Sequence, residues 1–221
     1  MEKTPSNFDK STWDQLPDFL EQLPEPVQLN IWCDPETSLA EAEAINLAQT
    51  LKERFQNIDF IQLPRRINFH YYPVFGIMGV GEEEVIDYGV RIIGLPTGYQ
   101  MTSLIAGIQC VSFRGMTSEA RSRIMLHKLE QDVSVEVISS AEDEGGALMA
   151  QIAFNMAVVS PKLRSYLIMG DQFSDALIRY SVSYLPHTVI DGRVHIDGVI
   201  DEKELLEQIA KAVEPPGQAA G

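Results

Sequence analysis

Apolar and polar positions along the chain follow two periods, and the period changes at turn residues. Val27–Cys33 alternates as a half-buried strand does, every second side chain facing one side. Asp34-Pro-Glu-Thr-Ser38 breaks that pattern, and Ser38 followed by Glu41 has the spacing of a helix N-cap. Leu39, Ala42, Ile45, Ala48, Leu51 and Phe55 then recur at helical spacing, so a helix is expected up to about Phe55. Ile58–Leu63 reads as a strand and Pro64-Arg-Arg66 as a loop. Tyr71–Val80 is a β-rich run containing Pro73, Gly81–Glu84 a turn, Tyr88–Ile93 a return strand, and Met101–Val111 a helix after the loop Gly94–Tyr99. Thr117–Leu129 is expected to be a bridging helix with Glu119 and Arg121 outward. Ser134–Ile138 and Leu163–Met169 read as strands, and Ser174–Tyr180 as a short helix. Between the two strands lie an acidic loop, Ser139–Gly146, and the almost wholly apolar segment Ala147–Val159, which predicts a buried helix.

The chain closes on Tyr184–Gly198. Strands His187–Ile190 and Arg193–Ile196 are expected to be joined by Asp191-Gly192, a dipeptide suited to a two-residue turn with positive φ. Pro186 opens the first strand, where a missing N–H is tolerated. A helix over Asp201–Val213 follows. The proline–hairpin–helix order of the segment from Pro73 to Val111 is the same, so the chain reads as two diverged copies of one unit. The expected division is an extension over 1–25, a first unit over 26–113, a second over 114–214 and a flexible tail over 215–221. Asp14–Gln22 is expected to be a short helix, with Phe8, Trp13, Leu16, Phe19, Leu20 and Leu23 as apolar anchors. Each unit reads β-α-β-(α)-β-β-α, a mixed α/β arrangement.

Proline, strand, tight turn, strand, helix is the closing half of a thioredoxin fold. The stretch from Tyr88 to Ile105 carries Gly89, Arg91, Gly94, Pro96, Gly98, Ser103 and Leu104 in the order G-x-R-x-x-G-x-P-x-G-x-x-x-x-S-L. This phrase resembles the end of the first fold in tandem thioredoxin-fold (glutaredoxin-like) proteins. Those are the N-terminal domain of the alkyl hydroperoxide reductase flavoprotein subunit and the archaeal protein disulfide oxidoreductases. The resemblance runs from about residue 26 to 213. It implies an α/β protein of two tandem thioredoxin-like folds, with mixed sheets flanked by helices. It also implies that Pro73 and Pro186 face the redox slots and border a groove that holds an extended peptide.

The chemistry of those slots is missing. Active members carry a CxxC at a helix N-terminus, which lowers the pKa of the first thiol. Here the second slot falls on Asp143-Glu-Gly-Gly146 and the first near Ser38–Glu41, and neither contains sulfur. The expected function is therefore a redox-inactive binding or scaffolding module. Its groove would be lined by Tyr72, Pro73, Asp143, Glu144, Gly145, Gly146, Leu185, Pro186 and His187. The resemblance implies a protein partner, a peroxiredoxin-like or other client. An apolar face of one unit could also pair with a second copy of the chain. The alternative is a monothiol oxidoreductase using Cys33, which ends a strand shortly before the first slot. Cys110, among Leu104, Ile105, Ile108 and Val111, is expected to be a packed core thiol. His187 could approach Asp143 or Glu144 and form an acid/base or metal pair with it. The four histidines do not cluster at metal-ligand spacing, no GxGxxG follows a strand, and neither a metal nor a flavin is expected.

Composition narrows the partners. The formal net charge is -15, which opposes binding to nucleic acid or anionic membranes. No apolar run approaches the length of a membrane span, and Met1–Leu16 lacks the features of a secretory signal. Two cysteines without CxxC give no disulfide scaffold, and a cytoplasmic protein is expected.

Overall fold

The computed structural model describes residues 16, 19–116 and 119–213. Its strands form one mixed sheet rather than two. In chain order the elements are β1 (Val27–Trp32), α1 (Leu39–Arg54), β2 (Ile58–Leu63), β3 (Val74–Val80), β4 (Val85–Ile93), α2 (Gln100–Ser112) and α3 (Ala120–Leu126). Then follow β5 (Val133–Ser139), α4 (Glu144–Val159), β6 (Leu163–Met169), α5 (Ser174–Arg179), β7 (His187–Ile190), β8 (Val194–Asp197) and α6 (Glu202–Val213). The eight strands lie in the order β2-β1-β3-β4-β6-β5-β7-β8. In each half a parallel pair, β1 with β2 or β5 with β6, is followed by an antiparallel hairpin. The halves meet edge to edge where β4 runs parallel to β6.

That pairing is why two mixed sheets are not seen. A β4 edge ending in the buried run Val90–Ile93 would present unpaired N–H and carbonyl groups to water, and β6 covers them. The G-x-R phrase lies at this seam. Gly94, at φ +101, sits where a Cβ would meet Met169 Cβ at 2.7 Å. Gly98, at φ +57, sits where one would meet the Ala141 carbonyl oxygen at 2.2 Å. Only a residue without a side chain allows that approach. The Gln172 side chain completes the seam like a strand partner: Leu95 N–H donates to its Oε1 at 2.9 Å and its Nε2 donates to the Leu95 carbonyl at 2.7 Å.

One apolar core lies beneath α1, α2, α4 and α6, with Phe75, Phe154, Leu29 and Leu104 fully buried. Leu16 and Leu20 are buried in it, whereas the expected anchor Phe19 is exposed. Phe8 and Trp13, and the tail over 215–221, lie outside the described residues. A second, smaller cluster on the opposite face joins Trp32, Val74, Ile93, Ile138 and Ile168 to Ala176 of α5.

Three local expectations are corrected. The bridging helix is shorter than Thr117–Leu129, and α4 begins earlier than Ala147, at Glu144. The closing hairpin has a three-residue loop. Asp191 and Gly192 both take positive φ, but Ile190 pairs with Val194, so Arg193 belongs to the loop. The Asp191 carboxylate accepts the Ser134 N–H at 2.7 Å, which anchors the turn on β5. This one-residue step exchanges the faces of β8 relative to a two-residue turn.

Candidate functional site

The slot of the second half forms at the start of α4. Ser139 ends β5, the chain turns, and Asp143 caps the helix by accepting the Gly146 N–H at 3.1 Å. Asp143 Oδ2 also accepts the Ser139 hydroxyl at 2.9 Å. A carboxylate in this position is favoured by the helix dipole and satisfies an N–H that a helix leaves free. Gly145 faces the proline turn: a Cβ there would lie 3.2 Å from Pro186 Cδ and 2.8 Å from Val199 Cγ2. The fold thus brings the Asp143–Gly146 stretch and Pro186 together.

The loop is held from beneath by Gln100, which no sequence motif marks. This first residue of α2 is fully buried. Its Nε2 faces Ser139 Oγ at 2.9 Å, the Ser140 carbonyl at 2.9 Å and the Asp143 carbonyl at 2.7 Å, while its Oε1 accepts the Ser103 hydroxyl at 2.7 Å. Two N–H groups serve three acceptors, so one is shared. The Tyr99 N–H adds a bond to the Ala141 carbonyl at 2.9 Å. A polar side chain opening an apolar helix was the available signal.

The peptide bonds Tyr72-Pro73 and Leu185-Pro186 are both cis. Among the described residues, neither Tyr72 nor Leu185 uses its N–H or carbonyl in a backbone hydrogen bond. Tyr184 and Leu185 beside the second proline, Val199, and Leu148 on α4 are exposed apolar side chains.

His187 does not turn toward Asp143 or Glu144. The hairpin register sets it directly opposite Asp197, and its ring lies between Asp197 Oδ1 at 2.7 Å from Nδ1 and His195 Nδ1 at 2.9 Å from Nε2. A carboxylate only accepts, so the His187 Nδ1–H donates to Asp197; in the neutral ring Nε2 then accepts from His195. His187 is buried, while Asp197 and His195 are exposed. Among the described residues no three His, Cys, Asp or Glu side chains are gathered to hold a metal ion.

The first slot is closed by an ion pair. Ser38 caps α1, its Oγ accepting the Glu41 N–H at 3.3 Å. Glu41 is buried and accepts from the Asp34 N–H at 2.8 Å, the Ser38 hydroxyl at 2.9 Å and Arg65 Nε at 3.0 Å, with a second contact to Arg65 Nη2. Burial raises its pKa, but these donors outweigh burial and hold the carboxyl below the usual range.

No family model matches the chain. It is 27% identical over 198 residues to the F subunit of the Xanthomonas campestris pv. phaseoli alkyl hydroperoxide reductase, covering 88% of this chain and 34% of that protein. The corresponding protein of Pseudomonas putida is 26% identical over 125 residues, covering 56% of this chain and 24% of that protein. The chain thus spans about a third or less of the length of these relatives. The N-terminal domain of the Enterococcus faecalis alkyl hydroperoxide reductase superposes with a TM-score of 0.82 at 17% identity, over 91% of this chain and 99% of that domain. A protein disulfide oxidoreductase of Aeropyrum pernix superposes with a TM-score of 0.80 at 17% identity, over 92% and 93% of the two chains. The chain is a thioredoxin-fold relative of the alkyl hydroperoxide reductase N-terminal domain.

In this thioredoxin-fold relative neither slot holds a thiol, and both cysteines lie elsewhere. Cys33 is buried at the end of β1. Burial, then the carboxylates of Glu41 and Asp34, push its thiol up to about 11 against the opposing charge of Arg65. Cys110 is packed in α2, where burial raises it to about 12. A nucleophilic thiol needs the opposite shift. Among the described residues no helix is long and apolar enough to cross a membrane.

Proposed function

We propose that the chain is a redox-inactive tandem thioredoxin-fold module that binds an extended protein segment in the groove between Pro186 and the Asp143–Gly146 loop. The observation that carries this reading is the close approach of Gly145 to Pro186 and Val199, with no room for a side chain, at a slot occupied by a capping carboxylate instead of a thiol. Three further features support it. The Leu185 backbone is free to pair with an incoming strand, in the manner of β-strand addition. Exposed Tyr184, Leu185, Leu148 and Val199 supply apolar contacts. The floor is rigid, because Gln100 ties the loop to α2. The likeness to alkyl hydroperoxide reductases points to the partner class to try first, a peroxiredoxin.

The monothiol alternative through Cys33 is disfavoured by its burial and raised pKa. Two measurements test the proposal. Dithiothreitol-driven reduction of insulin should not be accelerated by the wild type; a rate that disappears in Cys33→Ser would establish the oxidoreductase instead. Calorimetric binding of a purified peroxiredoxin should weaken at least about tenfold in Leu185→Asp, which places a charge in an apolar contact. Equal affinity of wild type and variant removes the groove from the interaction.

A further inference from the structure

The face of the sheet opposite the main helices carries a cavity of about 480 Å³ at the seam between the halves. Its rim is formed by the loop after β2 and by the segment around α5, which meet where Tyr71 stacks on Phe173 at 4.7 Å between ring centres. Its floor belongs to the three central strands. Arg91 of β4 pairs with Tyr166 of β6, and Tyr166 pairs with Glu136 of β5, so these residues form one row across the sheet. Arg164 and Ser134 form the next row on the same face. Central strands covered on both faces are usually continuous apolar runs. On the cavity side these three carry Arg91, Glu136, Tyr166, Ser134 and Arg164, with Ile93 and Ile168 lining the apolar end.

The cavity is also cationic. Of the ten arginines in a chain of net charge -15, four line it: Arg66, Arg91, Arg164 and Arg179. Among the described residues, Asp87 and Glu136 are the acidic groups in its walls. Asp87 is engaged by Arg91 at 2.5 Å and more loosely by Arg164 at 3.8 Å. Arg66 lies over the Trp32 ring at 4.8 Å and Arg179 over the Tyr180 ring at 5.7 Å, and neither makes a salt bridge among the described residues. Burial holds the Glu136 carboxyl above its ordinary range, although the Tyr180 hydroxyl and Arg179 work against that shift. Trp32 is itself buried, lines the cavity, and its indole N–H has no partner among the described residues. Surplus guanidiniums around an indented floor, with an indole donor left unmatched, are a receptor for oxyanions.

We propose that this cavity binds a small anionic molecule bearing phosphate or carboxylate groups, held by Arg66, Arg164 and Arg179 against the Tyr166 and Trp32 rings. The site shares no lining residue with the peptide groove. Its volume is that of ordinary small-ligand sites. Both halves contribute, so the site exists only in the joined sheet.

Isothermal titration of the full chain at low ionic strength, with inorganic phosphate and with citrate, tests the proposal. At least one probe should bind saturably, with a change in tryptophan fluorescence from Trp32. Affinity should fall at least about tenfold in Arg66→Gln/Arg179→Gln, because charge-assisted contacts are lost. It should be unchanged in Arg114→Gln, a surface arginine paired with Glu25. The tighter of the two probes identifies the ligand as phosphoryl or polycarboxylate. The variants must first show wild-type thermal unfolding. Absence of saturable binding by both probes, equal affinity in the double variant, or an equal loss in Arg114→Gln overturns it.

Discussion

At the residue scale, Glu41 is a buried carboxylate in the first turn of α1. Its side chain is only 2% exposed, yet it remains ionised, because Arg65, the Asp34 N–H and the Ser38 hydroxyl all point at it. Removing Arg65 leaves that carboxylate with the two weaker donors. Breaking a fully buried pair costs about 3–5 kcal/mol, but Arg65 is 38% exposed and solvent screens its charge. Arg65→Ala should therefore destabilise the fold at neutral pH by roughly 1–2 kcal/mol in urea unfolding. The sign of the pH effect follows from a folded-state pKa below the unfolded one. The stabilisation is fully present above the ordinary glutamate pKa of about 4.3 and is lost as pH falls through the lower, folded value. In Arg65→Ala the folded-state pKa of Glu41 should rise toward the unfolded value, so less stability is left to lose below about pH 4.3 and the acid limb should be shallower than in the wild type. An acid limb identical to the wild type would mean that Arg65 does not hold the carboxylate.

At the scale of elements, the Asp143 loop depends on Gln100, which lies in the other half of the chain. Gln100→Ala removes a buried side chain that contacts Ser139, Ser140, Asp143 and Ser103. The loss should be about 2–3 kcal/mol, since an unsatisfied buried polar group costs roughly 1–3 kcal/mol and more than one is exposed to that fate. Hydrogen exchange at the α4 N-terminus should accelerate in Gln100→Ala beyond the global change; protection unchanged there would separate Gln100 from the loop. Strands β6 and β7 and helix α1 were legible in the sequence because local pattern suffices for them: apolar alternation or helical spacing between turn residues. The proline turns were legible as local punctuation, whereas the slots were placed only through the resemblance. The start of α4 was not, since Glu144-Gly-Gly146 has no apolar periodicity and is helical only because Asp143 caps it. The partner of His187 was hidden by a register that Asp191 fixes through β5, far away in sequence. The cationic cavity was invisible for a related reason. Arg91, Tyr166 and Glu136 each look like the solvent-facing member of an alternating strand, and only sheet pairing sets them side by side.

For the whole molecule, the question is whether two copies of a unit behave as two domains or one. The seam argues for one. It combines a parallel pairing of β4 with β6, packing of α2 on α4, the Gln172–Leu95 bonds, and a backbone approach at Gly98 that admits no side chain. Cutting it would expose a strand edge whose last residues, Val90 to Ile93, are buried. Thermal unfolding should therefore be one calorimetric transition, with calorimetric and van't Hoff enthalpies in agreement. Gly98→Ala attacks the seam alone: at φ +57 it is strained, and its Cβ meets the Ala141 carbonyl. That variant should lower the transition temperature by several degrees, corresponding to about 1–3 kcal/mol, while the transition stays single. A wild-type endotherm that resolves into two peaks, or a Gly98→Ala shift confined to one of them, would mean that the halves are separate folding units merely placed edge to edge.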